Sequence, residues 1–203
     1  MSIACDAPID VVIVNFNAGQ YVVDLVSMLQ NEECFDIQVV DNHSSDHSTQ
    51  VLLSMGTAVV ENRVNKGFAT ACNQGAVLGQ SPYIAFVNPD CVLEAGQLKR
   101  LAEYARREGA GLVGCQVVNT DGSVQRGSWR RLPTLWRVLL TVSGCERFMG
   151  LQGMNLKAPP KKAEALNGAC YVVKRSVFES INGFDEHYPL HFEDLDLFKR
   201  IKD

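Results

Sequence analysis

The sequence predicts an α/β fold, with a mostly parallel sheet and helices on both faces, on two observations. Short runs rich in Val and Ile recur along the first two-thirds of the chain, at Val11–Val14, Ile37–Val40, Ala58–Val60, Tyr83–Val87 and Leu112–Val118. Runs this short and this apolar suit strands buried on both faces. Segments of helical spacing separate them. Tyr21, Leu25, Val26 and Leu29 make one apolar stripe, and Leu98, Leu101, Ala102 and Ala105 make another. Ser44, Ser45 and Asp46 offer caps for a helix near residues 47–55. Strand alternating with helix in this order implies parallel strands joined by crossover helices.

The pattern changes near residue 126. "RGSWRRLPTLWRVLL" brings together four arginines (126, 130, 131 and 137) and two tryptophans. With Leu132, Leu135, Leu139 and Leu140 it has the pattern of a basic amphipathic helix within residues 129–154, either lying on a membrane surface or covering the core. "NTDGS" at 119–123 is a turn signal, and "LKAPPKKAEAL" at 156–166 reads as a loop. "GACYVVKRSVFESINGF" then reads as a strand, a helix and an Asn-Gly turn. The chain ends at "FKRIKD" within a helical pattern, so we expect one domain over residues 1–203 that lacks its C-terminal elements.

Bulk composition excludes several classes. With 203 residues the chain has room for one substantial core. A net charge of −4 gives no basis for nucleic-acid binding. The seven cysteines are scattered, without a C-x-x-C pair, which fits reduced thiols in a cytoplasmic protein and not a disulfide framework or zinc site. The N-terminal stretch lacks the basic and apolar regions of a secretory signal. The most apolar segment, "LWRVLLTVSGC", falls short of the ~18 residues a membrane span needs.

In open parallel sheets ligands bind at the carboxyl ends of the strands. The residues following the predicted strands are polar: "NFN" from Asn15, "DNHSSD" from Asp41 and "NPD" from Asn88 to Asp90. Glycine-rich phosphate cradles are missing there. A phosphate-bearing ligand then calls for a divalent cation held by a carboxylate.

Six stretches in order, "VVIVNFN", "VVDNHSSD", "NKGFATACNQG", "FVNPDCVL", "NGACYVVKR" and "GFDEHYPLHFEDLDLFKR", resemble the inverting family-two glycosyltransferases of the GT-A, Rossmann-like fold, especially the rhamnosyltransferase branch. Asn88 stands where many relatives carry the first Asp of a D-x-D. The resemblance implies a donor-binding half over about residues 1–120 and an acceptor side over about residues 121–203. Asp41 would bond the nucleotide base, with Asn15, Asn17, Gly67, Asn73 and Asn88 as further donor contacts. Asp90 would hold Mg²⁺ or Mn²⁺ against the diphosphate. Asp194 would be the general base toward the acceptor, assisted by Glu193. Asp196 has a plainer role, since it stands i, i+4 to Arg200 on a helix.

The expected activity is sugar transfer from a nucleoside diphosphate, with dTDP-rhamnose favoured, to a glycan or lipid-linked glycan during cell-surface polysaccharide synthesis. The expected location is the cytoplasm, with peripheral contact at the inner membrane face as the alternative. Two rivals stand beside this reading. A sugar nucleotidyltransferase shares the α/β plan but needs a glycine-rich basic loop that "VNFNAGQ" does not supply. A non-catalytic nucleotide-sugar-binding protein is the other.

Overall fold

In the computed structural model, residues 8–125, 127–130, 132, 162–188 and 192–202 are described. Six strands form one sheet in the order β3-β2-β1-β4-β8-β5. In chain order these are β1 (Ile9–Asn15), β2 (Phe35–Asp41), β3 (Val59–Glu61), β4 (Tyr83–Val87), β5 (Leu112–Gly114) and β8 (Cys170–Lys174). Strands β1 to β4 pair in parallel. β8 runs against both β4 and β5, with Ala85 opposite Val172 and Val113 opposite the same residue. A separate two-stranded ladder pairs β6 (Trp129–Arg130) with β7 (Ala165–Leu166).

The sheet is covered on both faces because its strands present apolar side chains both ways. Ile9, Val11 and Ile13 of β1 meet α1 (Gln20–Leu29), while Leu98, Ala102 and Ala105 of α4 (Ala95–Glu108) close the same core. α2 (Ser48–Ser54) adds Leu52. Val12 and Val14 face the other way, toward α3 (Phe68–Ala76), α5 (Arg175–Ser180) and α6 (Glu193–Lys202). Gly75 of α3 lets this helix approach β1, since a Cβ there would stand 2.5 Å from Val12. α4 is delimited by local chemistry: Glu94 and Gln97 form a capping box, and Gly109 closes the helix in the left-handed region at φ 64°.

Two expectations change, and the direction of one strand is added. The fifth strand stops at Gly114, and Val118 instead makes an isolated bridge to Val124 around the Asn119–Ser123 turn. The pairing direction of β8 is not contained in its apolar pattern, and the structure makes it the one reversed strand of this sheet. The amphipathic helix expected within residues 129–154 does not begin at Trp129, because Trp129 and Arg130 are extended and paired with β7. Residue 131 and residues 133–154 of that expected helix lie outside the described residues.

A buried ion pair that sequence reading passed over fixes the amino end of the sheet. Asp10 is fully buried in β1. It accepts from the Arg175 guanidinium and, at 3.0 Å, from the Ser81 amide. Arg175 also donates to the carbonyls of Ser81 at 2.7 Å and Ala76 at 2.9 Å. A Cβ on Gly79 would collide with the Asp10 carboxylate, so this glycine is required by close approach. The signal was the acid itself, set in the otherwise apolar "IDVVIVN". Removing one partner leaves the other charge buried and unmatched. Arg175→Met is therefore expected to destabilise the fold by about 3–5 kcal/mol in urea unfolding. Arg175→Lys should recover only part of this, because one ammonium cannot replace the planar fork.

Candidate active site

The strands end in a staircase of buried polar groups. Asn42 N–H bonds the Asn15 carbonyl at 2.7 Å, and Asn62 N–H bonds the Asp41 carbonyl at 2.8 Å. Asp41 closes β2 and is buried. Its Oδ1 accepts from Asn15 Nδ2 at 2.8 Å and its Oδ2 from the Ser44 amide at 3.0 Å. Asn15 is fully buried and also donates to the Ser48 hydroxyl at 2.8 Å. It therefore stands behind Asp41 as its support. Asn17, at φ 53°, accepts from the Ser45 amide at 2.7 Å and ties the loop after β1 to the loop after β2.

A set of buried amides, which the sequence reading did not single out, holds the next segment. Asn42 donates to Asn65 Oδ1 at 2.8 Å and to the Gly67 carbonyl at 3.2 Å. It accepts from the Lys66 amide at 2.9 Å and from Asn62 Nδ2 at 3.2 Å. Gly67, at φ 87°, then turns the chain into α3, whose first amides carry no side-chain cap. Asn73, expected at the donor, has its side-chain amide bonded within the protein. Its amide exchanges bonds with the Phe184 backbone at 2.9 and 3.0 Å and reaches Glu186 at 2.9 Å. It fastens the turn at Gly183–Glu186 that leads toward α6.

The turn after β4 carries the expected metal ligand. Asn88 N–H bonds the Ala169 carbonyl at 2.8 Å, and Cys91 N–H bonds the Asn88 carbonyl at 3.0 Å. Between them Asp90 is exposed. Its carboxylate is a hard oxygen donor, suited to Mg²⁺ or Mn²⁺ that completes its shell with diphosphate and water. Among the described residues no three His, Cys, Asp or Glu side chains group into a site of their own.

Glu193 and Asp194 open α6 and are both buried. Asp194 packs directly against the loop before β8: a Cβ on Gly168 would stand 2.7 Å from Asp194 Oδ2. Since Ala169 holds Asn88 and Gly168 lies against Asp194, one short loop touches both the Asn88–Asp90 turn and Asp194. Asp196 keeps its plainer role, bonded to Arg200 at 2.6 Å, while Arg200 also donates to the carbonyls of Ile181 and Gly183. His187 is fully solvated and pairs with Asp185, and His191 lies outside the described residues.

The thiols near this loop differ sharply. Burial, then the Asp90 charge and Cys115, push Cys91 up to about 12. Hydrogen bonding with Cys170, opposed by burial, pulls Cys115 down to about 7. Cys170 moves up in turn, through that same contact and its own burial.

A mostly parallel sheet flanked by helices, with carboxylates at the end of β2 and after β4 and an acidic pair opening α6, has the plan of a GT-A type glycosyltransferase domain. The sequence profile described as "Glycosyl transferase family 2" matches residues 10–181, and the chain belongs to that family. Over 218 residues it is 26% identical to an N-acetylglucosaminyl-diphospho-decaprenol L-rhamnosyltransferase of Mycobacterium tuberculosis, covering 94% of this chain and 69% of the relative. It is 25% identical over 186 residues to the O-antigen biosynthesis protein RfbC of Myxococcus xanthus, covering 82% of this chain and 13% of the relative. The fold is shared with the mannosyltransferase PcManGT from Pyrobaculum calidifontis, solved with GDP-Man and Mn²⁺. That match has a TM-score of 0.68 at 14% identity and covers 96% of this chain and 52% of that one. It is shared also with S. aureus TarS in complex with UDP-GlcNAc, at a TM-score of 0.62 and 14% identity, over 96% of this chain and 53% of that one. The chain thus spans about half the length of these solved structures. No helix among the described residues is long and apolar enough to cross a membrane.

The thiol contrast gives a pH-dependent expectation. A depressed folded-state value means thiolate above about pH 7 and thiol below it. Alkylation of Cys115 by iodoacetamide should therefore accelerate as pH rises through about 7, while Cys91 stays slow to about pH 12. Peptide mapping by mass spectrometry checks this, and labelling of Cys91 before Cys115 would contradict it.

Proposed function

We propose that this domain is a metal-dependent inverting glycosyltransferase that moves a sugar from a nucleoside diphosphate to a hydroxyl of a glycan acceptor. One observation carries the reading: the Gly168–Ala169 loop joins the Asn88–Asp90 turn to the buried Glu193–Asp194 pair. A donor at the strand ends and an acceptor at α6 would then meet at that loop.

Each group has a task in this scheme. Asp41, held by Asn15 and Ser44, accepts a hydrogen bond from the base. Asp90, with Asn88 beside it, holds a divalent cation. Bound there, the cation would supply countercharge for the departing diphosphate. Asp194 receives the proton of the acceptor hydroxyl as its oxygen attacks the anomeric carbon from the face opposite the diphosphate. Glu193 positions the acceptor. The similarity to a rhamnosyltransferase acting on a lipid-linked diphosphate supports dTDP-rhamnose as donor and a lipid-linked glycan as acceptor, with synthesis on the cytoplasmic side of a membrane.

A thermal-shift screen of dTDP-rhamnose, UDP-GlcNAc and GDP-mannose, each with and without Mn²⁺, tests the donor. Stabilisation by dTDP-rhamnose should exceed that by the other two. Calorimetry separates the two strand-end acids. Asp41→Ala should weaken even the metal-free nucleoside, whereas Asp90→Ala should remove only the benefit of Mn²⁺ for the diphosphate. Equal losses with and without Mn²⁺ in Asp90→Ala would remove its metal role.

The base is tested by contrast within one helix turn. Asp194→Asn should keep fold and donor affinity while transfer drops by roughly 10²–10⁴-fold. Asp196→Asn should lose far less, because it gives up one helical ion pair worth about 0.2–0.5 kcal/mol. Near-normal turnover by a folded, donor-binding Asp194→Asn protein would overturn the assignment.

A further inference from the structure

Tyr171 carries a hydroxyl that the core does not explain. Its ring is fully accounted for by packing. It lies 5.5 Å from Phe86 and meets Phe198 edge-on at 5.3 Å between centroids. A phenylalanine would fill the same space. The hydroxyl adds a buried polar group that finds no hydrogen-bond partner. Such a group lowers stability. Packing alone gives this hydroxyl no task.

The surroundings supply one. Phe198 and Asp194 stand i, i+4 on α6 and so share a face of that helix. The Tyr171 ring packs against that face from β8, three residues after Gly168, whose Cα lies against the Asp194 carboxylate. The titratable groups around the phenol are Cys72 on α3, Cys170 beside it on β8, and Glu193 and Asp194 on α6. Arg200, a cation of α6, is turned away to Asp196 and to the carbonyls of Ile181 and Gly183. Burial above all, and then these acidic neighbours, push the phenol well above its usual value. It stays protonated at any working pH and is available as a donor.

We propose that Tyr171 is a positioning residue of the acidic pair, its hydroxyl being a further protein-side donor to a carboxylate oxygen of Glu193 or Asp194 when substrate engages that pair. This rests on the reading of Asp194 as base. Asp194 Oδ1 already accepts from the Leu195 amide at 2.7 Å, and a phenol bond would add a second constraint on the plane of a carboxylate in this pair. It also favours the ionised form, so the base remains deprotonated to lower pH.

Tyr171→Phe is the test, with the donor and Mn²⁺ identified by the screen above. The melting temperature should stay level or rise, since an unmatched hydroxyl is removed without changing the ring. The kcat should fall about tenfold, the scale expected for one hydrogen bond to a charged group. Donor KM should hold, and the acidic limb of the kcat profile should move to higher pH, because loss of the donor raises the pKa of the base. An unchanged profile with full turnover, or a lowered melting temperature with an unmoved limb, makes the hydroxyl purely structural and overturns the proposal.

A second measurement needs no turnover. Protein labelled with ¹³C at Asp and Glu carboxyls is titrated with dTDP, Mn²⁺ and a short-chain lipid-diphosphate N-acetylglucosamine acceptor analogue present, and the Glu193 and Asp194 resonances of Tyr171→Phe should titrate at higher pH than in the parent. Superimposable curves overturn the proposal. The two levels of inference separate cleanly. An active Asp194→Asn protein defeats the base assignment, whereas an inactive one beside an unaltered Tyr171→Phe protein defeats only the role of Tyr171.

Discussion

The Asp10–Arg175 ion pair is the constraint from which the rest of the arrangement follows. It joins residues 165 apart in the chain, and Arg175 is the residue immediately after β8. Anchoring that end fixes how β8 registers against β4, with Lys174 opposite Tyr83 and Cys170 opposite Val87. A slip of one residue would turn every β8 side chain to the opposite face. Tyr171 and Val173 would leave the α3–α6 side, and the Ala169 carbonyl would no longer meet Asn88. A charge pair at the amino end of the sheet thus sets the geometry at the carboxyl end, where the chemistry is assigned.

At that carboxyl end the expected residues divide between exposed and internally bonded. Asp90 is exposed, whereas Asp41 is buried with both carboxylate oxygens bonded to Asn15 and the Ser44 amide. Asn15 and Asn73 are also engaged with protein groups, Asn15 with Asp41 and Asn73 with the Phe184 backbone. Asn42 belongs with them, since both of its donors and its acceptor oxygen are matched within the loop that leads to Gly67. Buried amides suit this work because each can satisfy several backbone groups without introducing charge.

The sequence made the parallel part of the sheet readable because Val- and Ile-rich runs have few other places to go. "IDVVIVN" and "YIAFV" are buried along their whole length, and the stripes at Leu25 and Leu98 face the core as spaced. The positions of the acids at 41, 90 and 194 were legible, at the end of β2, just after β4 and at the start of α6, because their types recur there in an order that resembles one family. What was not legible is long-range. No local pattern states that β8 enters backwards between β4 and β5, that Arg175 returns to Asp10, or that Asn73 bonds a turn more than a hundred residues later. Trp129 misled for the opposite reason: its apolar and basic neighbours have helical spacing, but pairing with β7 decides its conformation.

The reversed strand has a consequence for how the protein is made. Among the described residues β8 is the last strand in chain order, yet it lies between two strands synthesised long before it. Until it emerges, β4 and β5 each present an unpaired edge, which is a template for pairing with other chains. At ~5–20 residues per second that interval lasts on the order of several seconds on the ribosome. The nascent chain is therefore most exposed to aggregation between completion of β4 and arrival of Arg175, and the residue that locks the finished sheet is also the one that ends its vulnerable period.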